Sequence, residues 1–398
     1  MQNRTGLFSN AIIWFGVAIS VSEIQAGIGI GTMSSGGSLW IPLILGHLLG
    51  GILLFLVGLI GARVRLNAME MTSSAFGKYG SKFFAALNVL QLVAWVAVLN
   101  AQGAVALTSL NLPISFPVIC IFLASLIALW VYLGLNRIAK ITTVVMAVLV
   151  LLLVVVSFRF FDVLPAVGAI AGNSSTLGFW NIFEISIAMP ISWLPVISDY
   201  TKDVEKPVNA TAVSAVAYTI ASLWMYFIGV EIASIGPNCD IAQAILLANL
   251  GVSGIIIVVL STITTNFLAA NSAGESAKVI YNRLNPKAVG IVVSGLSALI
   301  AISGIMNHYI DFLYLISSVF GPMAAVLLVS FYLGKDTHGD VRTWYWNIFS
   351  WFSGFIVYYM TGLLDSVVLG PSLLAIIVSA LLAYLWVLFK KYHLKKER

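Results

Sequence analysis

Polar residues interrupt the first long apolar stretch of the chain near its middle. Residues 12–30 are apolar enough to lie in a membrane, yet they include Ser20, Ser22, Glu23 and Gln25, with glycines on both sides. A carboxylate at that depth is costly unless it faces a partner, a ligand or a wet cavity. Glycines also weaken a helix there. We predict a broken helix beside a binding site, as secondary transporters have; the alternative is a glycine-lined helix contact around a neutral or paired Glu23.

Hydroxyl side chains share one face of a later apolar stretch, residues 243–272. Ser261, Thr264, Thr265 and Ser272 follow the i, i+3, i+4 spacing of a helix face. In membrane helices such hydroxyls often only bond back to a carbonyl of the preceding turn. Together with carbonyls freed by a break in the first helix, however, they supply a small cage of oxygen atoms. Such a cage suits a monovalent cation such as Na⁺.

Two further apolar stretches carry groups that suit a flat polar ligand. In the third, the indole of Trp95 offers a face for stacking, and the amide of Gln91 offers hydrogen bonds to the edge of a ring. Ordinary packing is the alternative for Trp95. In the sixth, Pro190 and Pro195 interrupt the backbone hydrogen-bond ladder. We therefore predict a second broken helix there.

The composition identifies the elements that must position these residues as membrane helices. The chain has 398 residues, of which 60% are hydrophobic and only 9% are charged, whereas soluble domains are about 25% charged. The net charge of +5 does not indicate nucleic-acid binding, because membrane topology accounts for where the cations lie. Cys120 and Cys239 have no metal-binding or redox spacing. We predict an all-α integral membrane protein without an organic cofactor.

Stretches of about 20 apolar residues mark membrane-spanning helices, and the sequence contains twelve of them. They are residues 10–31, 39–61, 83–107, 115–134, 141–158, 178–198, 209–235, 243–272, 288–306, 312–333, 343–364 and 371–389. With the amino terminus inside, 19 of the 20 lysines and arginines fall in inside segments and only Arg159 falls outside. This bias follows the positive-inside rule, so we predict that both termini are cytoplasmic.

The two broken spans, the first and the sixth, predict the architecture. Their positions indicate two five-helix repeats of inverted topology, residues 10–158 and 178–333, followed by two extra helices at residues 343–389. All twelve transmembrane helices then form one transporter domain, residues 1–398, with broken helices 1 and 6. This arrangement is leucine-transporter-like. The sequence shows no nucleophile–base pair or metal cluster that would favour an enzyme.

Three short strings resemble segments of the nucleobase–cation symporters, a family that includes cytosine and hydantoin permeases. SDYTKD after the sixth span resembles the ADF-x-R segment of cytosine permeases. Gln91-x-x-x-Trp95 in the third span and Thr264-Thr265-Asn266 in the eighth resemble two further segments of those permeases. The resemblance covers essentially the whole chain and implies a transporter of small heterocycles.

Three other strings are similar to one branch of that family, the hydroxymethylpyrimidine transporters of thiamine salvage. WFG-x-AIS-x-SEI begins at Trp14, LQL-x-x-W at Leu90 and MPISWLP-x-ISDYT at Met189. This similarity implies that the transported molecule is a pyrimidine-type heterocycle. It also implies a bacterial cytoplasmic (inner) membrane as the location.

The resemblance implies two binding sites. A sodium site would be built from the backbone carbonyls of Gly16 and Ile19, from Ser261, and from the hydroxyls of Thr264 and Thr265. The substrate would lie between the first, third, sixth and eighth spans. Its candidate contacts are Ser20, Glu23, Gln91, Trp95, Met189, Pro190, Trp193 and Asn266.

Individual roles follow from the same resemblance. Trp95 would stack on one face of the heterocycle. The family's second aromatic maps near Pro190, and Trp193, almost one turn later, is its candidate replacement. Our further hypothesis concerns Glu23, because a carboxyl group pairs well with the ring nitrogen and amino group of an aminopyrimidine.

The sequence therefore predicts Na⁺-coupled uptake of a heterocycle, with hydroxymethylpyrimidine as the implied substrate, by alternating access. The alternative is a proton-coupled permease for cytosine or another nucleobase, in which Glu23 or His47 carries the proton. A channel is disfavoured, because the polar residues are isolated points rather than a continuous file. We expect the lipid bilayer and the small-molecule substrate as partners, with no nucleic acid, no protein partner and a monomer sufficient for function.

Overall fold

The computed structural model describes residues 4–33, 39–108, 113–134, 177–235, 251–334, 339–363 and 369–396, with scattered positions from 144 to 158. Regular structure in these residues is helical apart from one isolated β-bridge, Thr5 to Val204. The α-helices are α1 (Leu7–Ala18), α2 (Val21–Met33), α3 (Trp40–Val64), α4 (Ser73–Thr108), α5 (Phe116–Leu133), α6 (Phe179–Ser192), α7 (Ile197–Thr201), α8 (Pro207–Ile235), α9 (Gly251–Ile280), α10 (Pro286–Ile302), α11 (Tyr309–Leu333), α12 (Val341–Gly362) and α13 (Pro371–Lys396).

Several of these helices can cross a membrane. In the described part of the chain, α3, α4, α5, α8, α11 and α13 are long and apolar enough, and α1 with α2 forms a seventh, bent candidate. The pair α1–α2 corresponds to the predicted first span and the pair α6–α7 to the sixth. Helices α8 to α13 correspond to the seventh to twelfth spans. Much of the predicted fifth span, residues 141–158, lies outside the described residues, as does the start of the eighth.

The first span is broken at Ile19 and Ser20, and its halves are bent by 49°. α1 ends where Ile19 leaves the helical region, at φ −77° and ψ 83°. The hydroxyl of Ser20 then accepts a hydrogen bond from the backbone N–H of Glu23, at 3.3 Å. A serine in this position caps the amino terminus of a helix, so Ser20 starts α2. The predicted break is confirmed, and Ser20 caps the helix that follows it.

The sixth span is broken between Ser192 and Ile197. Pro190 lies inside the last turn of α6, and Pro195 lies in the break itself. Neither proline has a backbone N–H group, so the helical ladder cannot continue through this segment. The second predicted break is therefore also confirmed. In the described part of the chain, the carbonyls of Ser192 and Pro195 accept no backbone hydrogen bond there and take their partners from another helix.

Glycines bring neighbouring helices into close contact at both broken spans. A Cβ atom on Gly27 of α2 would lie 2.4 Å from the carbonyl oxygen of Tyr226 in α8, so these two backbones touch. A Cβ atom on Gly50 of α3 would lie 2.2 Å from the ring of Pro190 in α6. α8 therefore holds the second half of the first span, and α3 holds the first half of the sixth.

Two predicted span ends are wrong. α4 begins at Ser73, ten residues before the predicted start, and it kinks at Gly77, where φ is 67°. Glycine alone adopts that backbone conformation without strain. α9 continues to Ile280, eight residues past the predicted end. Both extensions contain polar residues, which lower the hydropathy on which the predicted boundaries depend.

Candidate substrate and cation site

Hydroxyl groups of α9 meet the backbone carbonyls at the end of α1. The hydroxyl of Ser261 donates to the carbonyl oxygen of Ile19 at 3.0 Å. The hydroxyl of Thr265 lies 3.4 Å from the carbonyl oxygen of Val17 and donates to it. The last carbonyls of a helix have no partner within the helix, and these two find theirs on α9. We call these four oxygen atoms the oxygen cluster.

The remaining two residues predicted for the cation site bond within their own helices. The hydroxyl of Thr264 donates to the carbonyl oxygens of Leu260, at 2.8 Å, and Ser261, at 3.1 Å. The carbonyl oxygen of Gly16 accepts a hydrogen bond from the backbone N–H of Ile19, at 3.2 Å. Thr264 thus bonds to carbonyls of its own helix, which is the alternative to a cation-binding role that the sequence left open. Its hydroxyl oxygen keeps the lone pairs with which it would bind a cation.

The chemistry of the oxygen cluster fits a monovalent cation. It contains carbonyl and hydroxyl oxygens, which are the groups that coordinate Na⁺ at broken helices. It also lies at the carboxy-terminal end of α1, where the helix dipole favours positive charge. Among the described residues, no group of three or more histidine, cysteine, aspartate or glutamate side chains could hold a metal ion. The oxygen cluster stays a prediction for the cation site.

Amide side chains of α4 meet the break of the sixth span. Asn88 donates to the carbonyl oxygen of Pro195 at 2.9 Å and to the hydroxyl of Ser276 at 2.8 Å. Gln91 donates to the side-chain oxygen of Asn88 at 2.7 Å, and its amide nitrogen lies 3.4 Å from the carbonyl oxygen of Ser192. The structure therefore brings Gln91 to this break. Asn88 was not predicted, although it lies one turn before Gln91 on the same helix face.

Two of the predicted substrate residues have buried amide atoms without a partner. The side-chain oxygen of Gln91 accepts no hydrogen bond, and both polar atoms of Asn266 lack partners although Asn266 is 0% exposed. Buried amides are almost always satisfied in proteins. A bound molecule with hydrogen-bond donors and acceptors would satisfy these groups.

The packing of α4 against α9 shows where Asn266 lies. The two helices run antiparallel, because Asn88 contacts Ser276 at one end of the interface. Further along α4, a Cβ atom on Gly103 would lie 2.5 Å from the hydroxyl of Thr262. Asn266 is one turn of α9 beyond Thr262, toward Ser276. It therefore lies along α4 between Gly103 and Asn88, nearer to Gly103, about one helical turn from Trp95 and two from Gln91.

Both tryptophans predicted to stack on the substrate lie among other aromatic side chains. Trp95 is 7% exposed, and its ring contacts Tyr309 and Phe312 edge to face, at centroid distances of 6.3 and 5.3 Å. Trp193 is partly exposed and lies 5.9 Å from Trp14 and 6.4 Å from Tyr218. Stacking of a heterocycle on either ring stays a prediction.

The other predicted substrate residues have contacts to the protein. Ser20 caps α2, Met189 is buried in α6, and the ring of Pro190 packs on Gly50 of α3. Only rearrangement of these contacts would expose the three side chains to a ligand.

Glu23 faces α8. One carboxylate oxygen accepts a hydrogen bond from the hydroxyl of Tyr218 at 2.9 Å, and the other accepts one from the hydroxyl of Ser222 at 2.8 Å. The side chain is 2% exposed. Direct contact between Glu23 and an aminopyrimidine stays a prediction. Tyr218, which was not predicted, joins Glu23 to the ring of Trp193.

Known proteins resemble this chain over nearly its full length. The family described as permease for cytosine/purines, uracil, thiamine, allantoin matches residues 2–388. The cytosine permease of Escherichia coli strain K12 is 21% identical in an alignment of 357 residues that covers 85% of this chain and 81% of that permease.

Solved structures share the fold. Mhp1, a nucleobase-cation-symport-1 family transporter, was solved in a closed conformation with bromovinylhydantoin bound; it superposes with a TM-score of 0.78 at 20% identity over 96% of this chain and 93% of that chain. A Na⁺-coupled sialic acid symporter in a substrate-bound outward-open state has a TM-score of 0.69 at 15% identity, over 98% of this chain and 91% of that chain. The fold is therefore that of these transporters.

Proposed function

This chain belongs to the family of permeases for cytosine and purines, uracil, thiamine and allantoin, and from that premise we propose that it takes up a pyrimidine-type heterocycle by Na⁺ symport. Members of this family are permeases rather than enzymes. We further propose hydroxymethylpyrimidine as the substrate and the bacterial cytoplasmic membrane as the location, with both termini cytoplasmic. The twelve helices of the inverted-repeat arrangement then form one monomeric transporter domain.

The single observation that carries the cation proposal is the oxygen cluster. Ser261 and Thr265 of α9 bond the carbonyls of Ile19 and Val17 at the end of α1. A cation that replaces the two hydroxyl protons as the partner of these oxygens would hold α1 and α9 together. The Na⁺-coupled sialic acid symporter, which has this fold, makes such coupling a reasonable assignment.

The substrate proposal rests on the chemistry around α4. The side-chain oxygen of Gln91 and both polar side-chain atoms of Asn266 have no hydrogen-bond partner among the described residues. An aminopyrimidine presents a ring nitrogen and an amino group on one edge, which match an amide donor and an amide acceptor. Trp95 supplies an aromatic surface between the levels of Gln91 and Asn266 along α4. The choice of hydroxymethylpyrimidine among such molecules rests on the resemblance of the WFG, LQL and MPISWLP strings.

Alternating access would use the two broken spans. In the proposed mechanism, the first, second, sixth and seventh spans move as a bundle against the third, fourth, eighth and ninth. The cation connects α1 of the bundle to α9 of the scaffold, and Gln91 connects α4 of the scaffold to the break of the sixth span. Occupation of one site therefore stabilises the arrangement that the other requires, which is positive coupling between cation and substrate.

The experiment is uptake of radiolabelled hydroxymethylpyrimidine into proteoliposomes, with and without an inward Na⁺ gradient. We expect uptake that depends on Na⁺ and that the double substitution Thr264→Ala with Thr265→Ala abolishes. Thr262→Ala is the matched control, because its buried hydroxyl has no partner and packs toward Gly103 instead of α1. Uptake without Na⁺ would contradict the cation assignment, and uptake of cytosine alone would contradict the substrate.

A second candidate function is a proton-coupled permease for cytosine or another nucleobase. The cytosine permease of Escherichia coli supports the substrate class, and buried Glu23 supplies a protonatable group beside the first break. Uptake in the same vesicles driven by a pH gradient alone, and unchanged when choline replaces Na⁺, would favour this function. Competition by unlabelled cytosine and by hydroxymethylpyrimidine then distinguishes the two substrates.

A further inference from the structure

A chain of hydrogen bonds joins Glu23 to a buried histidine on another helix. Ser222 of α8 donates to a carboxylate oxygen of Glu23, and its oxygen lies 2.8 Å from Nε2 of His47 in α3. On the other side of the ring, Nδ1 of His47 lies 2.6 Å from the hydroxyl oxygen of Ser186 and 3.1 Å from the carbonyl oxygen of Leu43. Glu23 and His47 are thus separated by one serine hydroxyl.

This geometry satisfies every polar group in two ways when the pair holds one proton. In the first, the Glu23 carboxylic acid donates to Ser222, Ser222 donates to Nε2 of His47, and Nδ1–H donates to Ser186 and Leu43. In the second, the O–H bond of Glu23 has broken and an Nε2–H bond has formed. His47 then donates to Ser222, and Ser222 donates to the carboxylate. Ser222 exchanges its own proton in the step, and the total number of protons is unchanged.

Loss of that proton would leave a carboxylate without a compensating charge. Both ion pairs found among the described residues lie elsewhere, and an uncompensated buried charge is strongly disfavoured. The titratable groups that face the chain are tyrosines: Tyr218 and Tyr226 from α8, and Tyr309 from α11. Glu184 of α6 instead bonds Tyr358 of α12 and Ser372 of α13.

We propose that Glu23, Ser222 and His47 form a site for one exchangeable proton, separate from the oxygen cluster. Tyr218 links this site to the candidate substrate site, because its hydroxyl donates to Glu23 while its ring contacts those of Trp14 and Trp193. A heterocycle that displaces Trp193 also displaces Tyr218, and Glu23 then loses one of its two hydroxyl donors. Substrate binding thereby changes how tightly the proton is held.

The proton site is tested on purified full-length protein without substrate and in Na⁺-free choline buffer. Infrared difference spectra across a pH titration report the carbonyl stretch of a protonated carboxylic acid. We expect a titrating signal that Glu23→Gln removes and Ser214→Ala leaves unchanged. Ser214 lies on the same helix as Ser222, but its hydroxyl donates only to the preceding turn, at Ala210. A titration that is the same in Glu23→Gln as in the unsubstituted protein would overturn the proposal.

The sharing of the proton is tested by the other two members of the site. His47→Gln and Ser222→Ala should each move the midpoint of the Glu23 signal by about one pH unit, a roughly tenfold change in proton affinity. Ser222→Ala is the smaller change and leaves both titratable groups in place, so it decides the question if His47→Gln does not fold. A midpoint that neither substitution moves would mean that Glu23 titrates alone.

The link through Tyr218 rests on the proposed function and has its own measurement. Addition of hydroxymethylpyrimidine to weakly buffered protein should change the reading of a pH indicator, and Tyr218→Phe should abolish the change while binding, followed by tryptophan fluorescence, persists. Binding without a pH change in the unsubstituted protein would overturn the link. If no heterocycle binds, the proposed function fails, and the infrared titration still decides whether the proton site exists.

Discussion

The breaks of the first and sixth spans are supported by different side-chain chemistry. At the first break, the carbonyls of Val17 and Ile19 accept hydrogen bonds from hydroxyl groups of α9. At the sixth, the carbonyls of Ser192 and Pro195 accept hydrogen bonds from amide groups of α4. In the proposed inverted repeat, α4 and α9 are corresponding helices. The helix that supports the break therefore donates from hydroxyl groups in one case and from amide groups in the other.

This difference determines which break suits a cation. A hydroxyl that gives up its hydrogen bond can turn its lone pairs toward a cation, whereas an amide –NH₂ group has only donors to offer. The amides of Asn88 and Gln91 thus direct hydrogen-bond donors rather than lone pairs at the carbonyls of the sixth break. The unpaired oxygen of Gln91 remains available to a polar ligand. We infer that the cation belongs to the first break and the heterocycle lies nearer the sixth.

The largest effect is expected from removal of the amide that supports the sixth break. Asn88→Leu deletes the bonds to Pro195 and Ser276 and the bond accepted from Gln91, and each buried group left without a partner costs about 1–3 kcal/mol. Uptake should fall more than about tenfold, with a large decrease in the melting temperature. Proteoliposome uptake and tryptophan-fluorescence melting measure both.

Asn100→Leu is the matched control for Asn88→Leu. Asn100 lies on the same helix and also donates to one carbonyl and one serine hydroxyl, those of Cys120 and Ser297. These partners belong to α5 and α10 and not to the backbone of either break. The substitution should lower the melting temperature comparably and leave the KM for substrate unchanged. An equal increase in KM for both variants would contradict a special role of the sixth break in substrate binding.

The next effect concerns the first break. Ser261→Ala removes the hydroxyl that bonds Ile19, and we expect the apparent affinity for Na⁺ to fall about tenfold, which corresponds to about 1.4 kcal/mol. The maximal uptake rate at saturating Na⁺ should change little. Thr262→Ala, one residue away on another face of α9, should leave the Na⁺ dependence unaltered. The comparison between the two breaks fails if Asn88→Leu shifts the Na⁺ dependence and Ser261→Ala does not.

The sequence predicts much of this architecture because its determinants are local. Hydropathy locates the helices, two prolines mark the sixth break, and the polar run around Glu23 marks the first. The hydroxyl face of α9 is visible from the i, i+3, i+4 spacing of Ser261 and Thr265 alone. These features depend on residues within a few turns of one another, so a single sequence contains them.

Contacts between distant helices could not be predicted in the same way. Asn88 looks like an ordinary polar residue until the break of the sixth span lies beside it. Glu23 was expected to face the substrate, but the packing of α2 on α8 points it at Tyr218 and Ser222. The contact between Pro190 and α3 was not predicted either. Each outcome depends on the rotation of a helix about its axis, which hydropathy does not specify when a helix is apolar on most sides.

An effect on stability rather than on ion or substrate affinity is expected where glycines bring helices together. Gly27→Ala places a Cβ atom 2.4 Å from the backbone oxygen of Tyr226, and Gly50→Ala places one 2.2 Å from the ring of Pro190. Overpacking of this kind costs about 1–3 kcal/mol, and a backbone atom yields least, so Gly27→Ala should lower the melting temperature more. Gly29→Ala, where nothing lies within 4 Å, should be neutral or stabilising. A melting temperature lowered equally by Gly29→Ala would contradict the packing.

The smallest effect is expected at the aqueous end of the same helices, where Lys202, just after α7, pairs with Glu275 of α9. The two charged groups lie 2.9 Å apart, and the side chains are 23% and 25% exposed. Partial burial lowers the pKa of Lys202, but the neighbouring carboxylates, Glu275 foremost, outweigh burial, and the net pKa lies above its ordinary value. A raised lysine pKa adds stability that is complete below the unfolded pKa of about 10.4 and lost as pH rises through the folded pKa.

At neutral pH, therefore, Lys202→Gln should remove the whole contribution of this pair, which for an exposed pair is about 0–1 kcal/mol. The melting temperature should fall by no more than about 3 °C, and choline chloride should reduce the difference by screening. Because neither break is touched, the Na⁺ dependence and the KM for substrate should stay unchanged. A change in the Na⁺ dependence or in the KM would mean that the ion pair between Lys202 and Glu275 participates in the coupling of cation to substrate. The oxygen cluster and the α4 amides would then not account for this coupling alone.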